Sequence, residues 1–363
     1  MIDEVFMLRA IELAKNGVGK VNPNPLVGAV IVKDGMIVGE GYHMYYGGLH
    51  AERNAIASCK SKDDLIGATL YVTLEPCCHY GKTPPCTEAI LQSGIKEVVI
   101  GSRDPNPLVA GKGSGILREN GIIVHEDFIK DKCDEINRVF FHYITKKTPY
   151  VVMKYAMTMD GKIAASNGKS KWITNESSRM RVQDMRNSLM GIMVGIGTVI
   201  ADNPMLTCRI EGGRNPVRII CDSGLRIPLE SQIVKTAGSI KTIIAFCGGE
   251  TGKAEELKRS GCELIRTGQK DGHVNLTELM QILGKMGIDS LLLEGGGELN
   301  FGALSEGLVN EACVFVGAKI FGGTAKTPVG GTGVCDIENA FGFLLENVEK
   351  FDSDVLLTYL RGD

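Results

Sequence analysis

The chain has 363 residues, 40 Lys and Arg against 43 Asp and Glu, and a formal net charge of −3 with its basic residues scattered. This balance disfavours nucleic acid as the main partner and leaves room for a small phosphorylated ligand. The length predicts two domains, and the longest apolar run, residues 189–201, is too short for a membrane span and is broken by three glycines.

The acidic start Met1-Ile2-Asp3-Glu4 leads into an amphipathic helix over 4–17, with Val5, Leu8, Ile11 and Leu13 at helical spacing, and not into a signal peptide. A β-hairpin is expected at 27–33 and 36–40 around Asp34-Gly35. A helix should follow from His50 to about Cys59, then a buried strand over 69–74 that ends in a cysteine-bearing loop. Thr83-Pro84-Pro85 reads as a helix start with Thr83 as a possible cap. Strands are expected at 97–101 and 122–125 with a helix at 115–120 between them, and a further helix over 129–144. Lys146-Lys147-Thr148-Pro149 is a polar break, placing the domain boundary at 147/148.

A second α/β pattern follows, with apolar strands at 151–157, 191–195, 217–221, 242–246 and 290–294, and a closing strand at 355–360. Helical stretches lie between them at 176–187, 253–260 and 276–286. The eleven cysteines, in a chain with no export signal, read as reduced thiols of a cytoplasmic protein. Cys59, Cys133, Cys221, Cys247 and Cys313 read as small buried core residues.

Cys77, Cys78 and Cys86 differ, because they cluster in a polar, proline-rich loop downstream of His50-Ala51-Glu52. One imidazole and two thiolates are a soft donor set suited to tetrahedral zinc. His50, Cys77 and Cys86 are the expected ligands, with Cys86 in the first turn of a helix where the dipole favours a thiolate. Glu52 is the expected proton shuttle, since a zinc deaminase needs an acid/base that is not a ligand. Cys78 reads as a bystander thiol; His79 is either a fourth ligand or a donor to substrate. The simplest deaminase pattern puts two residues between the cysteines, whereas residues 78–85 lie between them here.

Asn22-Pro23-Asn24-Pro25, His50-Ala51-Glu52, Glu75-Pro76-Cys77 through Cys86, and Asp104-Pro105-Asn106-Pro107 resemble the bifunctional riboflavin-biosynthesis deaminase/reductase family. Cys78 stands where that family normally has Ser. The resemblance continues through Thr158-Met159-Asp160-Gly161-Lys162, Trp172-Ile173-Thr174, Gly197-Thr198-Val199 with Asp202-Asn203-Pro204, and the glycine loop Glu294-Gly295-Gly296-Gly297-Glu298. It implies a cytidine-deaminase-like α/β/α domain over 1–147 followed by a dihydrofolate-reductase-like α/β domain over 148–363. Zinc in the first domain and NADPH in the second are the implied cofactors.

Carried over by position, Asn24, His43, His79, Lys82, Asp104 and Asn106 would line a pyrimidine and ribose-phosphate site. The loop 78–85 would then be a substrate loop, with His79 and Lys82 as phosphate donors. A metal-activated water would attack the amino-bearing carbon 2 of a diaminopyrimidine, with Glu52 moving the proton. In the second domain Ala156, Trp172, Thr198, Asp202, Ser223 and Gly296-Gly297-Glu298-Leu299-Asn300-Phe301-Gly302 would contact NADPH. Ser170, Arg186, Leu206, Arg209 and Glu294 would hold the substrate, with Arg186 and Arg209 on the phosphate. Hydride would reach the ribosyl C1′ and leave a ribityl chain; Asp202 is the candidate proton donor. Without the resemblance, Trp172 reads more readily as a core residue and the glycine loop equally as a tight turn.

The substrate is therefore expected to be a phosphorylated pyrimidine, handled by a homo-oligomer without nucleic acid or membrane. The rival reading is a zinc deaminase of free cytosine or nucleosides, fused to a reductase of another substrate. A closed structural-zinc module on nucleic acid is a third, disfavoured by the near-neutral charge.

Overall fold

A computed structural model describes residues 2–106 and 109–362. Met1 of the acidic start and Pro107 of the Asp104-Pro105-Asn106-Pro107 motif lie outside the described residues. The chain divides into two compact units, Met1–Lys147 and Thr148–Asp363.

The first unit runs α1 (Glu4–Lys15), β1 (Gly28–Lys33), β2 (Met36–Tyr42), α2 (Ala51–Ser58), β3 (Thr69–Leu74), α3 (Cys86–Ser93), β4 (Glu97–Ser102), α4 (Lys112–Glu119), β5 (Ile123–His125), α5 (Lys130–Glu135) and α6 (Arg138–Lys146). The sheet order is β2-β1-β3-β4-β5. Its first three strands are antiparallel and its last three parallel. Side chains alternate across a strand, and both faces here are apolar. Val30, Val32, Tyr71 and Val99 pack against α1 and Cys133 of α5. Ala29, Ile31, Leu70, Val72, Val98 and Ile100 pack against Ala51, Ala55, Ile90 and Leu117 of α2, α3 and α4. Helices therefore cover both faces, giving three layers. Gly41 lets α2 sit close on β2, since a Cβ there would lie 2.3 Å from Ala55 N and 2.5 Å from Ala51 O.

Two expectations for this unit are corrected. The single helix over 129–144 is two, α5 and α6, because Asn137 turns its side chain to the backbone of Leu26. Its Nδ2 donates to Leu26 O at 2.9 Å and its Oδ1 accepts from Leu26 N at 2.8 Å, which holds Asn137 outside helical geometry (φ −119°, ψ 16°) between the two helices. Thr83 does not cap α3, which starts after Pro85 without a side-chain cap.

The second unit runs β6 (Tyr150–Thr158), α7 (Glu176–Ser188), β7 (Gly191–Gly195), α8 (Ile196–Asp202), β8 (Val217–Cys221), α9 (Gln232–Lys235), β9 (Thr242–Phe246), α10 (Thr251–Arg259), β10 (Glu263–Arg266), the short ribbon β11 (Gln269–Lys270) and β12 (His273–Val274), α11 (Leu276–Lys285), β13 (Ser290–Leu293), α12 (Gly297–Ser305), β14 (Val309–Gly317), β15 (Phe343–Phe351) and β16 (Asp354–Arg361). Nine strands form one sheet in the order β10-β9-β8-β7-β13-β6-β14-β16-β15. Every pair from β10 to β14 is parallel, and β16 and β15 close the sheet antiparallel. Strands buried on both faces carry near-continuous apolar runs, which is why β7, β8, β9 and β13 are legible in the sequence. β14, β15 and β10 are not foreseen there.

The chain lays β7 one slot away from β6, and β13 later fills the gap. Its carboxyl end, Leu293-Glu294, thus emerges at the centre of the sheet, where α/β folds place ligands. All eleven cysteines are free thiols; Cys133 and Cys313 are buried as expected, but Cys59, Cys221 and Cys247 are only half-buried.

Candidate functional site

His50 is the residue before α2. Its backbone is extended (φ −73°, ψ 164°) and its side chain makes no capping bond, so the imidazole is available to a metal. Cys77 follows β3 and Cys86 opens α3. His50 Nδ1 lies 3.4 Å from Cys77 Sγ and 3.4 Å from Cys86 Sγ, and the three donor atoms lie within 4.8 Å of one another. Cys77 also takes the place expected for Thr83. Its Sγ accepts the Cys86 N–H at 3.3 Å and its carbonyl the Thr87 N–H at 3.2 Å, satisfying the open amides of α3.

The three groups lie within hydrogen-bonding distance of one another. A hydrogen bond from Cys86, aided by His50, pulls the Cys77 thiol down to about 4 against the cost of burial. The same bond and burial push Cys86 well above its usual range. His50 is raised by its bond to Cys77. An entering cation must displace these protons. One imidazole nitrogen and two sulfurs at this separation fit tetrahedral zinc and leave a corner for water. Among the described residues neither Cys78 nor His79 joins the cluster, and His79 Nδ1 is buried without a partner.

Glu52, two residues after His50, is 3% exposed. Burial first, then the Cys77 thiolate, raises its carboxyl above the usual range, and it hydrogen-bonds Cys86. A desolvated carboxyl beside the donor set is suited to holding and passing a proton.

Around this centre the structure brings together several of the expected substrate residues. His43 edges onto His50, with ring centres 5.3 Å apart. Its Nδ1–H is assigned to Leu49 O at 3.0 Å, which leaves Nε2 to accept Asn24 Nδ2–H at 3.2 Å. Burial lowers its pKa and favours this neutral form. Asp104 is buried and raised by that burial to about 6, with Oδ1 accepting Asn106 N–H at 2.8 Å. Lys82 is exposed, its ammonium 3.8 Å from the Tyr46 ring centre.

Glu75, quoted in the sequence only as part of a motif, holds Asp104 to Gly111 and the first turn of α4. Its carboxylate, 4% exposed, accepts N–H groups from Asp104 (3.4 Å), Gly111 (3.0 Å) and Ser114 (3.2 Å). Gly113 permits this approach, since a Cβ there would meet Pro76 O at 2.1 Å. A charged residue directly after an apolar strand was the available signal.

In the second unit Arg186 of α7 and Glu294 after β13 form a bidentate pair, 2.7 Å at each bond, with side chains 13% and 9% exposed. Arg186 Nη1 also donates to Thr207 O at 3.0 Å. The fork expected to meet a phosphate is thus closed on Glu294, and exposed Arg209 is the more open guanidinium. Lys154 of β6 was missed. Burial lowers its pKa, and it interacts electrostatically with Glu294 and Arg186. A lysine inside the apolar run 151–157 was its signal.

Leu206 is buried with a left-handed backbone (φ 52°). Its neighbours are pinned by two arginines, Arg186 on Thr207 O and the fully buried Arg218 on Met205 O at 3.4 Å. Gly295 and Gly296 have φ of 112° and 99°, a conformation only glycine adopts readily. They let the β13 end turn into α12 beside β7, where Gly195 N–H meets Gly295 O at 3.2 Å.

Ser223 Oγ accepts Val274 N–H at 3.1 Å, which leaves its own proton to donate. Ala156 lies half-buried on β6, Ser170 is half-buried in a loop, Thr198 is half-buried in α8, and Asp202 is the exposed last residue of α8. Trp172 is not core: it is 57% exposed, stacked 4.6 Å from Arg179, in a cleft of about 380 Å³ with Lys319 and Asp354. Asp160 of the Thr158–Lys162 motif ties down a loop, accepting Phe321 and Gly322 N–H groups at 3.1 and 2.6 Å.

Comparison with known proteins bears on both units. The cytidine and deoxycytidylate deaminase zinc-binding region matches residues 1–102, and the RibD C-terminal domain matches residues 149–357. The riboflavin biosynthesis protein RibD of Actinobacillus pleuropneumoniae is 53% identical over 99% of this chain and 96% of its own. A crystal structure of a diaminohydroxyphosphoribosylaminopyrimidine deaminase/5-amino-6-(5-phosphoribosylamino)uracil reductase from Thermotoga maritima is 42% identical, with a TM-score of 0.87 over 99% of this chain and 98% of its own. Acinetobacter baumannii RibD is 36% identical, with a TM-score of 0.89 over 99% of each chain. The chain belongs to the RibD family of riboflavin-biosynthesis enzymes, which join a zinc-binding deaminase to an NADPH-dependent reductase.

Proposed function

We propose that residues 1–147 deaminate 2,5-diamino-6-(5-phosphoribosylamino)pyrimidin-4(3H)-one and that residues 148–363 then reduce its ribosyl group to a ribityl chain. The observation that carries this reading is the convergence of His50, Cys77 and Cys86 beside the buried carboxyl of Glu52. His50, Cys77 and Cys86 would hold zinc, which when bound would supply the Lewis acidity that makes water nucleophilic at neutral pH. The Glu52 carboxylate would carry two protons in turn: the first from the attacking water to the ring nitrogen, the second from the new carbon-bound hydroxyl to the amino group, which leaves as ammonia. Asn24, held by neutral His43, and Asp104, held by Asn106, orient the pyrimidine. His79 and Lys82 meet the phosphate, which a bare nucleobase lacks.

In the second unit NADPH supplies the hydride. The glycine turn before α12 lets backbone N–H groups approach its diphosphate, with Ala156, Trp172, Thr198, Asp202 and Ser223 as further contacts. Arg186 and Glu294 act as one fixed unit toward the substrate, with Lys154 beside them and Arg209 toward the phosphate. Asp202 remains the candidate proton donor.

We place this enzyme in the cytoplasm as a homo-oligomer. Its eleven free thiols suit a reducing compartment. Among the described residues no helix is long and apolar enough to cross a membrane. The edge strand β15 exposes Leu344, Leu345 and Val348, a surface suited to a second copy. Turnover of the phosphorylated diaminopyrimidine, with cytidine inert, is the expected result; turnover of cytidine alone would return the free-nucleoside reading.

A further inference from the structure

We infer that Tyr46 is a positioning residue that presents the Lys82 ammonium to the substrate phosphate; this rests on the reading of Lys82 as the phosphate contact. Tyr46 lies in the loop joining β2 to α2, between His43 and the ligand His50. Its N–H donates to Lys20 O at 3.0 Å, and the next residue, Gly47, takes the left-handed backbone (φ 87°) that completes the bend. Facing it is the loop between the two ligand cysteines, clamped near its end by Arg53. Arg53 Nε donates to Pro84 O at 3.1 Å and Nη2 to Pro85 O at 2.8 Å. The two loops meet where Lys82 Nζ sits 3.8 Å from the centre of the Tyr46 ring.

The ring holds the ammonium by its quadrupole without cancelling its charge. A carboxylate partner would have to be displaced before a phosphate could bind, and among the described residues Lys82 has no such ion pair. An aromatic partner instead restricts a flexible four-carbon stem and leaves the full positive charge for an anion. The contact therefore lowers the cost of ordering Lys82 when substrate binds. Tyr46 is 47% exposed, so the contribution is that of an exposed pair.

The test is steady-state deamination of the phosphorylated diaminopyrimidine by the full-length zinc enzyme and its variants Tyr46→Leu, Tyr46→Phe, Lys82→Ala and Tyr46→Leu/Lys82→Ala. Tyr46→Leu is expected to raise KM about two- to five-fold with kcat and zinc content unchanged, and Tyr46→Phe, which keeps the ring, to restore KM. In the Lys82→Ala background the Tyr46→Leu change should add nothing. If Lys82→Ala raises KM but Tyr46→Leu does not, the inference falls while the phosphate reading stands. If Tyr46→Leu raises KM equally without Lys82, Tyr46 touches the substrate itself and the inference also falls. A loss of kcat or zinc in Tyr46→Leu would make it a loop support instead. An unchanged KM in Lys82→Ala would remove the phosphate reading and this inference together.

Discussion

In the deaminase unit the chemistry rests on side chains delivered by the ends of α2, β3 and α3 to within 4.8 Å of one another. In the reductase unit the residues proposed for the cofactor are spread over β6, loops, α8 and the glycine turn into α12, so the proposed site draws on backbone as well as side chains. The first site gathers an imidazole and two sulfurs, His50 Nδ1 lying 3.4 Å from each Sγ. The second has its charges paired in advance, with Arg186 closed on Glu294. A single side-chain change should therefore damage the two units differently. The deaminase should lose chemistry while keeping its fold, whereas the reductase should lose stability together with binding.

The largest effect expected is that of Glu52→Gln. The variant should keep zinc and lose about 10²–10⁴-fold in deamination rate, with reduction of pre-deaminated substrate unaffected. Metal analysis beside ammonia release checks this, and retained deamination would remove Glu52 from its acid/base role.

Next is Arg186→Met, which strands a buried carboxylate. Breaking a buried pair by removing one partner costs about 3–5 kcal/mol, read as an early unfolding transition of the second unit with deamination preserved. A neutral result would mean that Lys154 neutralises Glu294 unaided.

The smallest of the three concerns Asp104. Its raised value means that the folded protein binds this proton more tightly than the unfolded chain does. The stability so gained is present at low pH and is lost as pH rises through about 6. Substrate binding should run the other way, because the carboxylate that accepts N–H donors is populated above that pH. Deaminase kcat/KM should fall up to about tenfold per pH unit below this value, and Asp104→Asn should flatten that limb. A limb unchanged in the variant would assign it to another group.

The same contrast governs what the sequence discloses. His50, Glu52, Cys77 and Cys86 are legible because zinc chemistry requires particular side chains, and their placement at element ends follows from simple strand and helix patterns. Glu75 was overlooked because its work is done on the backbone N–H groups of Asp104, Gly111 and Ser114, a long-range contact that no spacing encodes. Lys154 and Arg218 interrupt apolar strands, a visible irregularity whose partners only tertiary structure supplies. Trp172 reads as core by residue type, yet it stacks at the surface on Arg179. The break between α5 and α6 was hidden because Asn137 answers to Leu26, distant in sequence. β14 and β15 escaped notice because β14 follows α12 after a short turn and β15 is a largely exposed edge strand.

The most direct measurement is a coupled assay on the full-length protein that follows ammonia release and NADPH oxidation on the phosphorylated diaminopyrimidine, with and without a zinc chelator. The expected result is ammonia release followed by NADPH oxidation. The chelator should abolish both with this substrate, and pre-deaminated substrate should restore NADPH oxidation alone. Ammonia release that survives complete zinc removal, or NADPH oxidation that fails on pre-deaminated substrate, would contradict a zinc deaminase joined to an independent reductase.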